Sequence, residues 1–237
     1  MKELRNANFG LPDGAEPCEG NPQSGIRNLQ SYWLGRIGYL EALSLQEKLV
    51  ANLEQDTLLL LEHDPVYTIG RTPDQSSLRG GAGALPHPVI QTNRGGQATF
   101  HGPGQLVGYP IIDLNRRVRD LHLYLRNLEE WLIQVLASFG VNGSHRDGLT
   151  GVWVQNRKMI SIGVGVRKWI TMHGFAMNVA RDLSGFQSIT PCGINGVEMT
   201  SLSREAGRDI TVEEAANAVE SVFRRSLQKG FSPLPER

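Results

Sequence analysis

Between Arg94 and Pro110 the chain runs RGGQATFHGPGQLVGYP, seventeen residues that hold five glycines and two prolines. A glycine inside a helix costs about 1 kcal/mol and a proline about 3 kcal/mol, so no helix crosses this stretch and the backbone must proceed by short strands and tight turns. Two readings follow. The glycines can simply serve the turns of a hairpin, or they can leave main chain bare so that a ligand approaches closely, with Arg94 and His101 supplying polar contacts. The spacing fits neither a Walker A loop nor a dinucleotide fingerprint, which argues against ATP or NAD chemistry. Glycine is also the one outlier in overall usage, 27 of 237 residues or about 11% against a usual value of roughly 7%.

The flanking pattern predicts an α+β domain, a mixed β-sheet covered by helices. Leu40, Leu43, Leu49, Val50 and Leu53 follow helical spacing and lead into the aliphatic run 56–62, which suits a buried strand. Strands are expected at 66–69, 89–91, 97–101, 105–112, 152–154, 159–166 and 169–179, with a loop over 72–88 long enough to suggest function. In 159–166, Met159, Ser161, Gly163 and Gly165 alternate with Ile160, Ile162, Val164 and Val166, which predicts one packed face and one bare face. Asp120 caps a helix with apolar positions Leu121, Leu125, Leu128, Leu132, Val135, Leu136 and Phe139, and Gly140 ends it. Thr211 with Glu214 opens a last helix that runs through Leu227 to Gly230. Residues 1–25 mix Pro, Gly, Asn and Glu without periodicity and read as a flexible N-terminal extension, leaving 26–237 as a single domain.

Charge and cysteine usage exclude several classes of function. Twenty-four basic residues balance twenty-four acidic ones, so there is no global field for nucleic acid. The longest aliphatic run, Leu58 to Leu61, is far below the ~20 residues of a membrane span, and the first twenty residues lack an apolar signal core. The two cysteines, Cys18 and Cys192, are too few for a disulfide framework, and a reducing, cytoplasmic setting is expected.

Cys192 lies in TPCGING, a segment too rich in turn formers for a core strand. Structural cysteines favour apolar helices and strands, so a cysteine in a turn is a candidate nucleophile. A free thiol titrates near ~8.5 and needs a cationic or basic neighbour to react at neutral pH. His101, His173 and Lys158 are the candidates. Each has an ordinary alternative: the histidines can pin loops by hydrogen bonds, and a lone lysine is usually a solvated charge.

Taken together, Arg94-Gly95-Gly96, then Thr99 to Gln105 with Tyr109-Pro110, then Lys158 with Ser161-Ile162-Gly163, then His173-Gly174-Phe175-Ala176 with Asn178, then Pro191-Cys192-Gly193, resemble the octanoyltransferases of lipoate synthesis. The resemblance spans roughly Asn28 to Leu227 with no departure at the motif positions. It implies the fold of the biotin and lipoate protein ligase catalytic domain, and an acyltransferase that moves octanoyl from octanoyl-acyl-carrier-protein to a lysine of a lipoyl domain, the first step of lipoate synthesis. Acceptors would be the lipoyl domains of 2-oxoacid dehydrogenase complexes and the glycine cleavage H protein, with no cofactor, metal, nucleic acid or membrane involved. Carried over by resemblance, Cys192 is the acyl-thioester nucleophile and Lys158 the group that lowers its pKa. Arg94, Gly95, Gly96, Gln97, Ala98, Thr99, Phe100 and His101, then Ser161, Ile162 and Gly163, then Gly174, Phe175 and Ala176, are substrate-binding segments, with His173 and Asn178 in support.

The residues permit that chemistry. The bare face of Ser161, Gly163 and Gly165 could line an acyl slot, where about seven buried carbons at ~0.8 kcal/mol each are worth roughly 5 kcal/mol. Arg116, Arg117, Arg119, Arg126, Arg224 and Arg225 could steer acidic protein partners, or be scattered solvated charges. Three rivals remain open: an ATP-dependent lipoate or biotin-type ligase, which would not need Cys192; a non-catalytic acyl- or lipoyl-domain-binding relative; and a Cys-His hydrolase using His173 or His101.

Overall fold

The computed structural model describes residues 16–17, 29–72, 76–194 and 196–231. The expected N-terminal extension, Cys18 included, lies outside the described residues except for β1 (Glu16–Pro17), which pairs antiparallel with β2 (Gln30–Ile37). After β2 come α1 (Tyr39–Ala51), β3 (Thr57–His63), β4 (Val66–Ile69), β5 (Val89–Gln91), β6 (Thr99–His101) and β7 (Gln105–Ile111). The second half holds α2 (Leu121–Ser138), β8 (Ser144–Arg146), β9 (Leu149–Val154), β10 (Arg157–Arg167), β11 (Ile170–Asn178), β12 (Glu198–Met199), α3 (Leu202–Glu205) and α4 (Val212–Lys229). The main sheet is ordered β1-β2-β3-β7-β11-β10-β9-β8, with β12 parallel to the end of β10 that carries Lys158. A separate three-stranded sheet is ordered β5-β4-β6. The architecture is the expected one, a mixed sheet covered by helices.

Helices cover both faces of the main sheet, and the alternation along β3 shows why its aliphatic run is unbroken. Leu58 and Leu60 pack with α2 and α4, while Leu59 and Leu61 pack with α1. All four are fully buried, each worth about 2 kcal/mol of transfer free energy. The α2 cap forms as expected, the Asp120 carboxylate accepting from Leu123 N at 3.0 Å, and Thr211 Oγ1 accepts from Glu214 N at the start of α4.

Some expectations shift by a residue. The buried stripe of α1 is Tyr39, Ala42, Leu45, Gln46, Leu49 and Val50, so Leu40, about 100° away around the helix, is 63% exposed rather than packed. Gln46 sits in this apolar stripe because its Oε1 accepts from His173 N at 2.7 Å, on a strand residue with φ of +57°. Trp169 is not in a strand: Lys168 and Trp169 both have positive φ and form the two-residue turn between β10 and β11. The six arginines do not form a free basic patch. Arg116, Arg117, Arg126 and Arg224 are ion-paired with Asp113, Asp56, Glu129 and Glu220, so most of that charge is neutralised locally.

Candidate active site

The glycine-rich stretch, β10, β11 and the turn carrying Cys192 converge on one cleft. Its wall includes Arg94, Gly96, Gln97, Thr99 and His101 from the first, Ser161 to Gly163 from β10, and His173 to Ala176 from β11, with Cys192 at the rim. Sequence reasoning missed Tyr39 and Val107 and assigned no role to Tyr109, all three of which line the same cleft. Tyr39 gave no signal beyond its place at the start of a helix, whereas Tyr109 stood inside the motif. Gly95, Ala98, Phe100 and Asn178 stand behind the wall. Gly95 N donates to Val164 O, the Phe100 ring packs on Tyr67 and Phe186, and Ala98 O accepts from Cys192 N.

Lys158 is the least ordinary residue of the site. It is 2% exposed, against the usual solvated lysine, and its Nζ donates to Thr150 O and to Cys192 Sγ, both at 3.1 Å. A β-bulge explains how it gets there. Lys158 pairs with Trp153 and Ile160 with Val152, so Met159 is an extra residue in β10. Met159 and Ile160 both enter the helix-covered core, and the regular alternation expected across 159–166 breaks at that point. Without the bulge Lys158 would share the face of Ile160; with it, Lys158 joins the cleft side with Ser161 and Gly163. Gly151 makes the space, since a Cβ there would lie 2.9 Å from Lys158 Cε and 2.5 Å from Ile160 O. Its N–H is held by the carboxylate of Glu129, a nearly fully buried residue of α2.

The Cys192 turn is clamped from three sides. Thr190 N donates to Ser77 O at 2.8 Å and Cys192 N to Ala98 O at 3.0 Å, while Arg79 reaches Gln187 O. The loop 72–88 therefore supports the Cys192 turn through Ser77 and Arg79 (73–75 lie outside the described residues). After the turn the chain returns as β12, and Thr200 N donates to Lys158 O at 2.9 Å, tying both halves of the pair to one strand. Cys192 has φ of +57°, a left-handed conformation rare outside glycine and common where a side chain is held for a task.

At the other end of the cleft the histidines are committed elsewhere. His101 Nδ1 lies 2.7 Å from Gln105 Oε1, and Gln105 continues to Asn178, whose amide donates to Thr200 O. His63 lies 2.7 Å from the Tyr109 hydroxyl, and His173 Nε2 meets Asn93 Oδ1. Burial pushes His63 and His173 down to about 4 and His101 to about 3, so all three are neutral at physiological pH. Arg94 donates through Nη2 to Thr68 O, Thr68 Oγ1 and Gln97 O, and through Nη1 to Gly95 O, which locks the loop rather than leaving a free fork. The arrangement offers a thiol with an ammonium against it, beside a mostly apolar slot, and neither cleft histidine is hydrogen-bonded to the sulfur.

Residues 38–224 match the family model of the lipoyl protein ligase A/B catalytic domain. The chain is similar to an octanoyltransferase of Geobacter sulfurreducens, 54% identical over 197 residues, which cover 80% of this chain and 81% of that protein. Among solved structures it is similar to a bi-partite lipoate protein ligase of Thermoplasma acidophilum, with a TM-score of 0.64 at 17% identity over 85% of this chain and 84% of the other. A biotin protein ligase of Aquifex aeolicus is similar with a TM-score of 0.50 at 17% identity over 86% of this chain and 70% of the other.

Proposed function

The chain belongs to the lipoyl protein ligase A/B catalytic-domain family and to its octanoyltransferases, and from that premise we propose that it moves octanoyl by way of a Cys192 thioester. It is an acyltransferase acting in lipoate synthesis. The donor in this reading is octanoyl-acyl-carrier-protein. The acceptor is a lysine of a lipoyl domain, from 2-oxoacid dehydrogenase complexes or the glycine cleavage H protein. Residues 26–237 act as one catalytic domain, in the cytoplasm; no described helix is long and apolar enough to cross a membrane.

The observation that carries the reading is Lys158 Nζ at 3.1 Å from Cys192 Sγ. An ammonium against the sulfur favours negative charge there by direct attraction in a poorly solvated site. The thiolate attacks the carbonyl of the octanoyl thioester, the new C–S bond forms, and the carrier thiolate leaves and takes a proton from the Lys158 ammonium, which becomes a neutral amine. This exchange joins bonds of near-equal energy and needs no ATP. The acceptor amine then attacks the Cys192 thioester, Lys158 takes its proton, and amide replaces thioester, which is downhill. In this reading the octanoyl chain lies in the cleft lined by Ser161 to Gly163 of β10 and Gly174 to Ala176 of β11.

Intact mass after mixing the protein with octanoyl-acyl-carrier-protein, without ATP and then with an apo lipoyl domain, tests this. One octanoyl added to wild type, absent from Cys192→Ala and then passed to the domain, is the expected result. Transfer only when ATP is supplied, with no protein adduct, would assign the ligase reaction instead.

A further inference from the structure

We infer that the side-chain amide of Gln97 donates the hydrogen bond that stabilises the oxyanion at the acyl carbonyl, an assignment that rests on the Cys192 thioester reading. Attack by Sγ pushes the carbonyl electron pair onto oxygen, and that charge needs a donor close to the nucleophile. The backbone groups that usually serve are already spent. Cys192 N donates to Ala98 O, Gly193 N to Thr190 O and Ile194 N to Pro191 O, all at 3.0–3.1 Å. The Arg94 guanidinium spends Nη1 and Nη2 on Gly95 O, Thr68 and Gln97 O, leaving only its Nε buried without a partner, and two of the Lys158 donors are used on Thr150 O and Cys192 Sγ.

Among the unpartnered polar groups of the cleft wall, Gln97 is the one whose side chain lies against the Cys192 turn. Its carboxamide has no hydrogen-bond partner among the described residues, and its Oε1 is buried without one. It lies directly against the turn that carries the nucleophile: a Cβ on Gly193 would stand 1.7 Å from Gln97 Oε1 and 2.9 Å from Nε2. The main chain of Gln97 is pinned by Arg94 Nη2 at 2.8 Å, so the side chain projects from a fixed base. With neither end of the amide engaged, rotation about its last torsion presents Nε2–H to the oxyanion at little cost.

Two reactions of Cys192 separate this role from mere support of the turn. Acylation by octanoyl-acyl-carrier-protein passes through an oxyanion; alkylation by iodoacetamide does not. Gln97→Met and Gln97→Glu should slow acylation about 10²–10³-fold with KM little changed, and leave alkylation within about twofold of wild type. Equal slowing of both reactions, or unchanged acylation, would overturn the assignment. Wild type that gains no octanoyl on Cys192 would instead overturn the underlying thioester reading.

Discussion

The two ends of the cleft are built on opposite terms. At the Lys158–Cys192 end a cation and a thiol have few partners besides each other, and the backbone that holds the thiol is in a left-handed conformation. At the other end His63, His101 and His173 are neutral, buried and bonded to Tyr109, Gln105 and Asn93. Histidine is the residue most often suspected of catalysis, yet here its protons are already assigned. In the proposed mechanism reactivity resides in the lysine and the thiol, while the histidine network, with His173 Nδ1 left unpartnered, keeps the slot in shape.

That contrast breaks most clearly on rate. Cys192→Ala and Lys158→Met should each reduce octanoyl transfer at least ~10³-fold, whereas His173→Gln should stay within about tenfold, all measured on a purified lipoyl-domain acceptor. Loss of the same size in His173→Gln would erase the distinction between the ends. A smaller effect is expected from bulk along the slot. At Gly163 a Cβ would lie 3.0 Å from Gly95 O and 3.1 Å from Arg94 Cδ, so Gly163→Leu must displace the Arg94 loop and should lower transfer ~10²-fold. Unchanged transfer in Gly163→Leu would remove β10 from the acyl path.

Stability sharpens the comparison further. Gly151→Ala would put a Cβ 2.5 Å from Ile160 O at a φ of +127°, and should cost about 2–4 kcal/mol in urea unfolding while separating Lys158 from Cys192. The histidine end should instead show in pH. His63 titrates at about 4 when folded against ~6.5 unfolded, so below pH ~6.5 the unfolded chain binds the extra proton and stability falls as pH drops toward 4. Each such histidine should account for about 1.4 kcal/mol by pH 5.5, and His63→Gln should flatten that slope. An unaltered slope would mean that His63 is not held neutral.

Local signals carried much of this into the sequence. The Asp120 and Thr211 caps, the apolar run of β3 and the turn setting of Cys192 were all readable, because each depends on residues within a few positions of one another. The burial of Lys158 was not. It depends on a one-residue irregularity in β10, on a glycine in the neighbouring strand and on a glutamate in α2, none of which any window of sequence brings together. β2 escaped notice for a related reason: its burial alternates irregularly, with Leu34 packed beside Gly35 at φ of +61°. The cleft position of Tyr39 was likewise hidden, since Leu40 offered the more obvious apolar residue and the helix turned it outward.

The extra residue at Met159 turns a sheet irregularity into a phase selector. Strand side chains alternate with a period of two, so one inserted residue inverts the face of everything before it while leaving everything after it in place. Deleting Met159 would preserve every residue assigned a chemical role and most of the strand pairing, yet rotate the ammonium from the thiol into an apolar core. In this domain the geometry of the Lys158–Cys192 pair is encoded as a parity, and a change of one in residue count would extinguish it without altering either side chain.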